Sequence, residues 1–456
     1  MKKLLRLLAL LFALSLVAAA CGGSEDSDDA EASTDAGEES SDDEEAMEDD
    51  EEAMEDDAME DADHLGDGSL GVVSVPAGEQ IQIRSLEAIS GDVAFLGIPN
   101  QRATELAVVD YGPIQGFDVN VGAGLDDLCS ADGGQAAAQS IVADEQVVGV
   151  IGTSCSGAAT AAAPLISAAD MVMISASNTS PALTSDQQGN PGENFNEGYY
   201  RTAHNDLFQG AAMADFVFND LGLTSAAALH DGDPYTDGLS NAFANAFAEL
   251  GGEVTAITAI AKGDTDMVPV LTELAAGSPE ALFFPIFQPE SDFVADQVRT
   301  VAGLEDATLL TADASLVDAF LELEQSEGLR FSGPDVRFGT NTNASTGVNA
   351  EDFLATYEAE FGEAPSAPFW GHAYDATTIL LDAIDAASVV DGDSLVIDRA
   401  GVREYINTLQ GFDGFIGTIN CDEFGDCGSQ RITIIEHLDS GDIEASKENV
   451  VFEFTP

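Results

Sequence analysis

What most constrains this chain is an alternation. From Ile81 onward, short apolar runs that end in Gly, Ser, Asp or Thr take turns with longer amphipathic stretches. "IQIRSLEAIS" reads as a strand and turn, "NQRATELAVVDYG" as a helix and "FDVNVGAG" as a strand. "GGQAAAQSIVAD" then reads as a helix, "VVGVIGTS" as a strand, "GAATAAAPLISAAD" as a helix and "MVMISAS" as a strand. Such switching between strand and helix periodicity is the pattern of βαβ units. These units build a parallel sheet with helices on its faces, and ligands bind beyond the carboxyl ends of the strands.

A second series starts near Tyr200. "DLFQGAAMADFVFNDLG", "DGLSNAFANAFAELGG", "DMVPVLTELAAG" and "SDFVADQVRTVAG" read as helices, interleaved with the strands "AAALHDG", "EVTAITAI" and "ALFFPIF". "TLLTAD" and "VRFGTN" read as further strands, and "SAPFWGHAYDATTILLDAIDAAS" as a long late helix. Two series of similar size predict an α/β protein of two Rossmann-like lobes, each a parallel sheet flanked by helices. A cleft between hinged lobes suits the enclosure of a small molecule.

The N-terminus has another character. "MKKLLRLLALLFALSLVAAAC" carries Lys2, Lys3 and Arg6, then an apolar run to Ala20, and reads as an export signal. It resembles a bacterial lipoprotein signal, with cleavage before Cys21 and lipid on its sulfur, although Ala18 stands where leucine is usual. The mature chain is therefore expected outside the cytoplasm, anchored by lipid to the cell membrane, where disulfides persist. Residues 21–78 are expected to form an acidic, disordered tether, since "AMEDD"-type repeats offer little to bury. The whole chain has 84 acidic and 14 basic residues, a net charge of −70. Nucleic acid, whose phosphates require Lys and Arg, is excluded as a partner.

The stretch "GVIGTSCSGAAT", Gly149 to Thr160, joins a strand to a helix through a turn rich in small polar residues. It is not a nucleophile elbow, because Ser156 stands where G-x-S-x-G needs its second glycine, and none of His64, His204, His230, His372 and His437 has an adjacent motif. It is not a phosphate loop, because it has no lysine. It does suit an anion cradle, in which free N–H groups at a helix start face the cleft and Ser156 at the N-cap position serves either the helix or a carboxylate. "ISASNTSPALT" ends the next strand in Ser177, Asn178, Thr179 and Ser180 at the same sheet edge, which makes a polar shelf without full charge. Beyond Cys21, Cys129 and Cys155 follow neighbouring strand ends, and Cys421 and Cys427 bracket a turn. The natural pairs are Cys129–Cys155 and Cys421–Cys427. The spacing does not suit zinc, and no metal or cofactor is expected.

The stretch from "DDLCSADGG" to "SNTSPALT" resembles the leucine/isoleucine/valine-binding proteins of ATP-driven importers, which are type I periplasmic binding proteins. "YYRTAHNDLFQGAAMADFV", "LHDGDPYTDGL", "HAYDATTILLDAI" and "FDGFIGTINCDEFGD" extend the resemblance from Ile81 to the C-terminus. It implies a three-crossover hinge, with lobe one at about 79–201 and 345–420 and lobe two at about 202–344 and 421–456. It implies that Ser156 binds a ligand carboxylate, that Ser177 and Thr179 contact both ends of an amino acid, and that Tyr235 closes from the second lobe. Asp313 falls where such binders place an acid for the ammonium. Phe287 stands where some relatives have tyrosine. Leu96 stands where an aromatic often covers the ligand, a role Phe95 can fill instead. Trp370, Phe412 and Phe415 are read as structural. The implied partners are a small amino acid or amide and the subunits of an ABC permease, with no catalysis. A ligand sensor for amides, urea or aromatic acids on the same fold is the alternative.

Overall fold

The computed structural model describes residues 66–456; the export signal, Cys21 and the acidic segment up to Leu65 lie outside the described residues. The chain begins with β1 (Val72–Val75) and enters the first sheet at β2 (Ile81–Glu87). It continues through α1 (Ala94–Tyr111), β3 (Val119–Asn120), β4 (Leu125–Asp126), α2 (Ala131–Val142), β5 (Val147–Gly152), α3 (Ser156–Ala168), β6 (Val172–Ser175) and β7 (Tyr199–Arg201). Their order is β3-β2-β5-β6-β7, with β4 also on β2, and every pairing is parallel.

The alternation of side chains explains why this sheet is covered twice. Val172 and Ile174 of β6 enter one core, and Met173 and the preceding Met171 enter another on the opposite face; in β5, where the pairing with β2 shifts register after Val147, Val148 and Ile151 enter the first core and Val147 and Val150 the second. Successive residues of a strand point to opposite faces, so an uninterrupted apolar run needs helices on both. The α2 and α3 residues Ala138, Ile141, Ala162 and Ile166 supply one side.

The second lobe runs through α4 (Asp206–Asp215), β8 (Ser225–His230), α5 (Pro234–Leu250), β9 (Glu253–Ala259), α6 (Val268–Ala275), β10 (Ala281–Phe283), α7 (Glu290–Val298), β11 (Thr308–Ala312), α8 (Asp318–Leu321) and β12 (Arg330–Pro334). The chain then returns to the first lobe with α9 (Ala350–Phe361), α10 (Trp370–Ala386), β13 (Ser388–Asp391), β14 (Ser394–Asp398), α11 (Arg399–Asn407), β15 (Phe412–Gly414) and β16 (Gly417–Ile419). It ends in the second with β17 (Ile432–Glu436), α12 (Ile443–Glu448) and β18 (Val450–Phe454). The second sheet has the order β18-β17-β12-β11-β10-β8-β9. Helices α1 and α10 pack together on the first lobe's other face, and Leu380 and Ile384 of α10 sit in its core.

Several local expectations change. "VRFGTN" is not a strand; the strand is the preceding Arg330–Pro334, whose Phe331 is fully buried. The second sheet is not wholly parallel, because β17 and β18 add antiparallel to its edge. Val72–Val75, placed in the tether from its composition, pairs with β14 because Val73 and Val75 are buried. The Cys421–Cys427 loop, placed with lobe two, packs both sulfurs into the core of lobe one, where Asp426 bridges to Arg201. Trp370 is in that core as well, stacked on Phe353.

Candidate functional site

The site begins where β5 ends. Gly152 has φ +138°, and a Cβ there would lie 1.9 Å from the carbonyl oxygen of Leu86. Only glycine lets the strand turn this close to β2. The following turn is tied to the end of β6. Ser175 Oγ donates to the Thr153 carbonyl at 2.8 Å, Asn178 Nδ2 donates to the same oxygen at 2.9 Å, and Ser177 Oγ donates to the Ser154 carbonyl at 3.0 Å. Helix α3 is capped at Cys155, without a side-chain bond, so Ser156 is its first residue and not its N-cap. Its Oγ instead accepts from the Ser180 N–H at 3.3 Å, which joins the two turns into one shelf.

Below the shelf lies Arg201, fully buried. Its guanidinium donates to the carbonyls of Asn178 and Ser180 at 3.2 and 2.8 Å, to Thr184 Oγ1 at 2.6 Å, and to Asp426 at 2.5 Å. A planar fork with five donors can hold that many acceptors at fixed angles. Sequence reading missed it, since Asp426 is 225 residues away. Ser154, also missed, donates from Oγ to Glu87 at 2.5 Å and from its backbone to Asp127 at 2.7 Å. Burial drives Glu87 well above the carboxylate range and lifts Asp127 to about 7. Buried carboxyls without cations prefer the neutral form.

The second lobe supplies the opposite bank. Asp233 caps α5 by accepting from the Tyr235 N–H at 3.0 Å. Tyr235 thereby projects from the first turn, its hydroxyl 3.3 Å from Asp313 Oδ1 and its ring 5.4 Å from that of Phe287. Asp313 follows β11 and also accepts from Gln209 Nε2 at 2.5 Å, and Gln209 is held by His204 at 2.7 Å. Burial raises the Asp313 carboxyl to about 6, and burial with Asp313 nearby keeps the Tyr235 phenol protonated.

Leu96, Ser156, Ser177, Tyr235, Phe287 and Asp313 line one cavity of about 340 Å³, its open mouth included. Thr179 does not; it is buried beneath the shelf. Leu96 and not Phe95 faces the cavity, and the aromatic ring that Leu96 lacks is supplied by Phe369, beside the tryptophan that drew attention in the sequence. Both expected disulfides form, with S–S distances of 1.97 Å for Cys129–Cys155 and 2.05 Å for Cys421–Cys427. The lobes touch across the cleft. A Cβ on Gly157 of α3 would lie 2.5 Å from Asp233 Oδ2, whose other neighbour is Lys262 at 3.5 Å. Among the described residues, no cluster of His, Cys, Asp and Glu could hold a metal ion, and no helix is long and apolar enough to cross a membrane.

Two lobes face each other across a cleft, with hydroxyls on one bank and an acid and aromatics on the other. The sequence pattern of one family, described as periplasmic binding protein, matches residues 80–436. The chain belongs to the periplasmic binding protein family. This periplasmic binding protein is 26% identical over 362 residues to the Leu/Ile/Val-binding protein homolog 3 of Brucella melitensis, covering 78% of this chain and 91% of the relative. It is 24% identical over 388 residues to a leucine-, isoleucine-, valine-, threonine- and alanine-binding protein of Pseudomonas aeruginosa, covering 80% and 92%. In structure it is similar to a leucine binding protein of Thermotoga maritima, with a TM-score of 0.70 and 26% identity over 82% of this chain and 99% of the other. A solute binding protein of Rhodopseudomonas palustris in complex with benzoate has a TM-score of 0.64 at 17% identity, over 79% and 94%, and shares the fold alone. The fold is thus the type I two-lobe architecture, and the family is one of binding proteins and not of enzymes.

Proposed function

We propose that this periplasmic binding protein is the substrate-binding component of an ABC importer, capturing a branched-chain amino acid, or a small amino acid or amide of similar size, between its lobes. The observation that carries the reading is the opposition of an uncharged hydroxyl shelf to a cleft-facing carboxyl, Asp313, with apolar walls between them. A zwitterion has the complementary charges. Its carboxylate meets Ser156, Ser177 and the N–H groups that open α3, and its ammonium meets Asp313. Leu96, Phe287 and Phe369 surround an apolar side chain, and Tyr235 closes over the ligand with the second lobe. Closure removes water and strengthens each of these polar contacts. The names of the Brucella, Pseudomonas and Thermotoga relatives support a branched-chain ligand. In this reading, lipid on Cys21 holds the protein outside the cytoplasmic membrane, and the loaded form passes its ligand to the permease.

Thermal unfolding of the purified protein with a panel of amino acids, amides, urea and aromatic acids tests the reading. A bound ligand at about a hundred times its dissociation constant adds ~2.7 kcal/mol of stability. The shift is expected with leucine, isoleucine or valine, and is lost in Ser156→Ala and Tyr235→Ala. A shift confined to urea, simple amides or aromatic acids overturns the amino acid assignment in favour of a sensor on the same fold.

A further inference from the structure

The chain passes between the lobes first at residues 202–205, from β7 to α4, and last at residues 420–431, from β16 to β17. These two connections lie against each other. The Arg201 N–H donates to the Gly425 carbonyl at 2.9 Å, and the Cys427 N–H donates to the Arg201 carbonyl at 3.0 Å. A Cβ on Gly428 would collide with the Thr202 carbonyl oxygen, so the two backbones meet with no room for a side chain. The Cys421–Cys427 disulfide, buried in the core of lobe one, closes the last connection into a short loop at this point.

One side chain of that loop reaches both lobes. Asp426 is buried, and its Oδ1 accepts from Arg201 Nε at 2.5 Å. Its Oδ2 accepts from Gln187 Nε2 at 2.7 Å, from Asn205 Nδ2 at 3.2 Å and from Ser185 Oγ at 3.5 Å. A carboxylate has lone pairs for all of these donors, whereas an amide has a single oxygen. Through Arg201 the carboxylate reaches the shelf, since the same guanidinium holds the Asn178 and Ser180 carbonyls, and the Ser180 N–H donates to Ser156 Oγ. Through Asn205 it reaches the second lobe. Asn205 Oδ1 caps α4 by accepting from the Leu207 N–H at 3.0 Å, and the Asn205 N–H donates to Gln430 Oε1 at 2.9 Å. One turn along α4, Gln209 donates to Asp313 at 2.5 Å. Ser156 on one bank and Asp313 on the other are thus joined through one carboxylate between the two connections.

We propose that Asp426 is a positioning residue for ligand capture, tying the Arg201-supported shelf of lobe one to the Asn205-capped helix of lobe two. This rests on Ser156 and Asp313 being ligand contacts, as read above, and adds the group that sets both relative to the hinge. Hinged lobes turn on a few residues of their connecting segments. Binding groups are productive only when their supporting shell holds them to within about 0.5 Å. A tie between the first and the last connection makes those segments move as one body, so the shelf and α4 take their directions from the same frame. The disulfide fixes where the loop presents Asp426, and neither of its sulfurs lines the ligand cavity.

Two variants cut the tie. Asp426→Asn removes the carboxylate. Asn205→Ser removes the Nδ2 donor, which also reaches the Ser185 carbonyl at 3.2 Å, and keeps a residue suited to cap α4. Titration calorimetry with L-leucine and denaturant unfolding of the same samples separate positioning from stability. Asn205→Ser is expected to weaken leucine about tenfold, the value of a buried hydrogen bond to a charged group, with little change in the unfolding midpoint. Asp426→Asn is expected to weaken it at least as much, and the double variant to be within about twofold of Asp426→Asn, because both changes cut one line. If Asp426→Asn does not fold, Asn205→Ser carries the test. Leucine affinity within about twofold of wild type in Asn205→Ser overturns the proposal, as do effects that multiply in full in the double variant. If leucine does not bind the wild type, the amino acid reading fails instead, and hydrogen exchange of the empty protein decides the tie. It stands if the Ser180 amide, on the opposite lobe, exchanges faster in Asn205→Ser, and it falls if that amide is unchanged.

Discussion

The two banks of the cleft are built by different rules. On the first lobe, Thr153, Ser175, Ser177, Asn178 and Ser180 are joined by short hydrogen bonds over a buried arginine that is itself fully engaged. That bank is complete before any ligand arrives, and a pre-organised surface loses little entropy on binding. On the second lobe, Asp313 and Tyr235 project from a strand end and a helix start, 3.3 Å apart, and the fully buried Asp206 of the neighbouring α4 faces the Thr179 hydroxyl. That bank carries the cleft's acid, whose carboxyl burial raises to about 6. One lobe offers hydroxyls and N–H groups, and the other a carboxyl and aromatic rings.

The contrast breaks most severely at Arg201. Arg201→Met is expected to leave Asp426 as a buried, unpaired charge and to free the shelf carbonyls, at a cost of about 3–5 kcal/mol. Denaturant unfolding checks this, and a loss below about 1 kcal/mol, the value of a surface pair, would mean that the shelf stands without its arginine. Next comes the contact between the banks. Gly157→Ala places a methyl against Asp233 Oδ2, where only 2.5 Å is free. Overpacking of this kind costs about 1–3 kcal/mol, and here it falls on the contact between the two lobes. Ligand affinity should therefore drop while the unfolding midpoint of the empty protein changes little, and Asp233→Ala in the same chain should recover part of it.

The smallest effect concerns the acids under the finished bank. Asp127 has a folded value of about 7 against 3.8 for the free group, because burial outweighs the N–H groups it accepts. Between those values the folded state holds a proton that the unfolded state lacks. Its stabilising contribution is thus full below 3.8 and is lost as pH rises toward 7. His204 and His372, held down to about 4 and about 3 by burial, act in the opposite sense as pH falls below 6.5. Comparing Asp127→Asn with wild type cancels them. The melting-temperature drop from pH 5 to pH 7.5 should be shallower in the variant, and equal slopes would show that Asp127 is already ionised.

Much of this architecture was legible in the chain. Runs such as "VVGVIG" and "AAAQSIV" carry their structure locally, because strand and helix sidedness repeats within a few residues. The Ser156 turn, the Ser177 shelf, Tyr235 and Asp313 stood out because small polar residues at strand and helix ends mark where backbone N–H groups are free. The role of Ser156 was misplaced by a single position, since helix boundaries depend on which carbonyl takes the first bond and not on residue type. Phe369 and Asp206 carry no local mark; nothing in "APFW" or "HNDLF" distinguishes a cleft residue from a buried one.

What the sequence by itself determined is the alternation of elements, the two-lobe class and the hydroxyl-rich turns, all consequences of short-range sterics and hydrogen bonding. What only the tertiary structure decided is which distant groups share a dry space: Arg201 with Asp426, Gly157 with Asp233, Asp206 with Asp313 and Thr179. These pairings depend on how far water is excluded at one point of the fold. The strength of every charge and hydrogen bond there follows from that exclusion, which is a property of the assembled lobes and not of any segment.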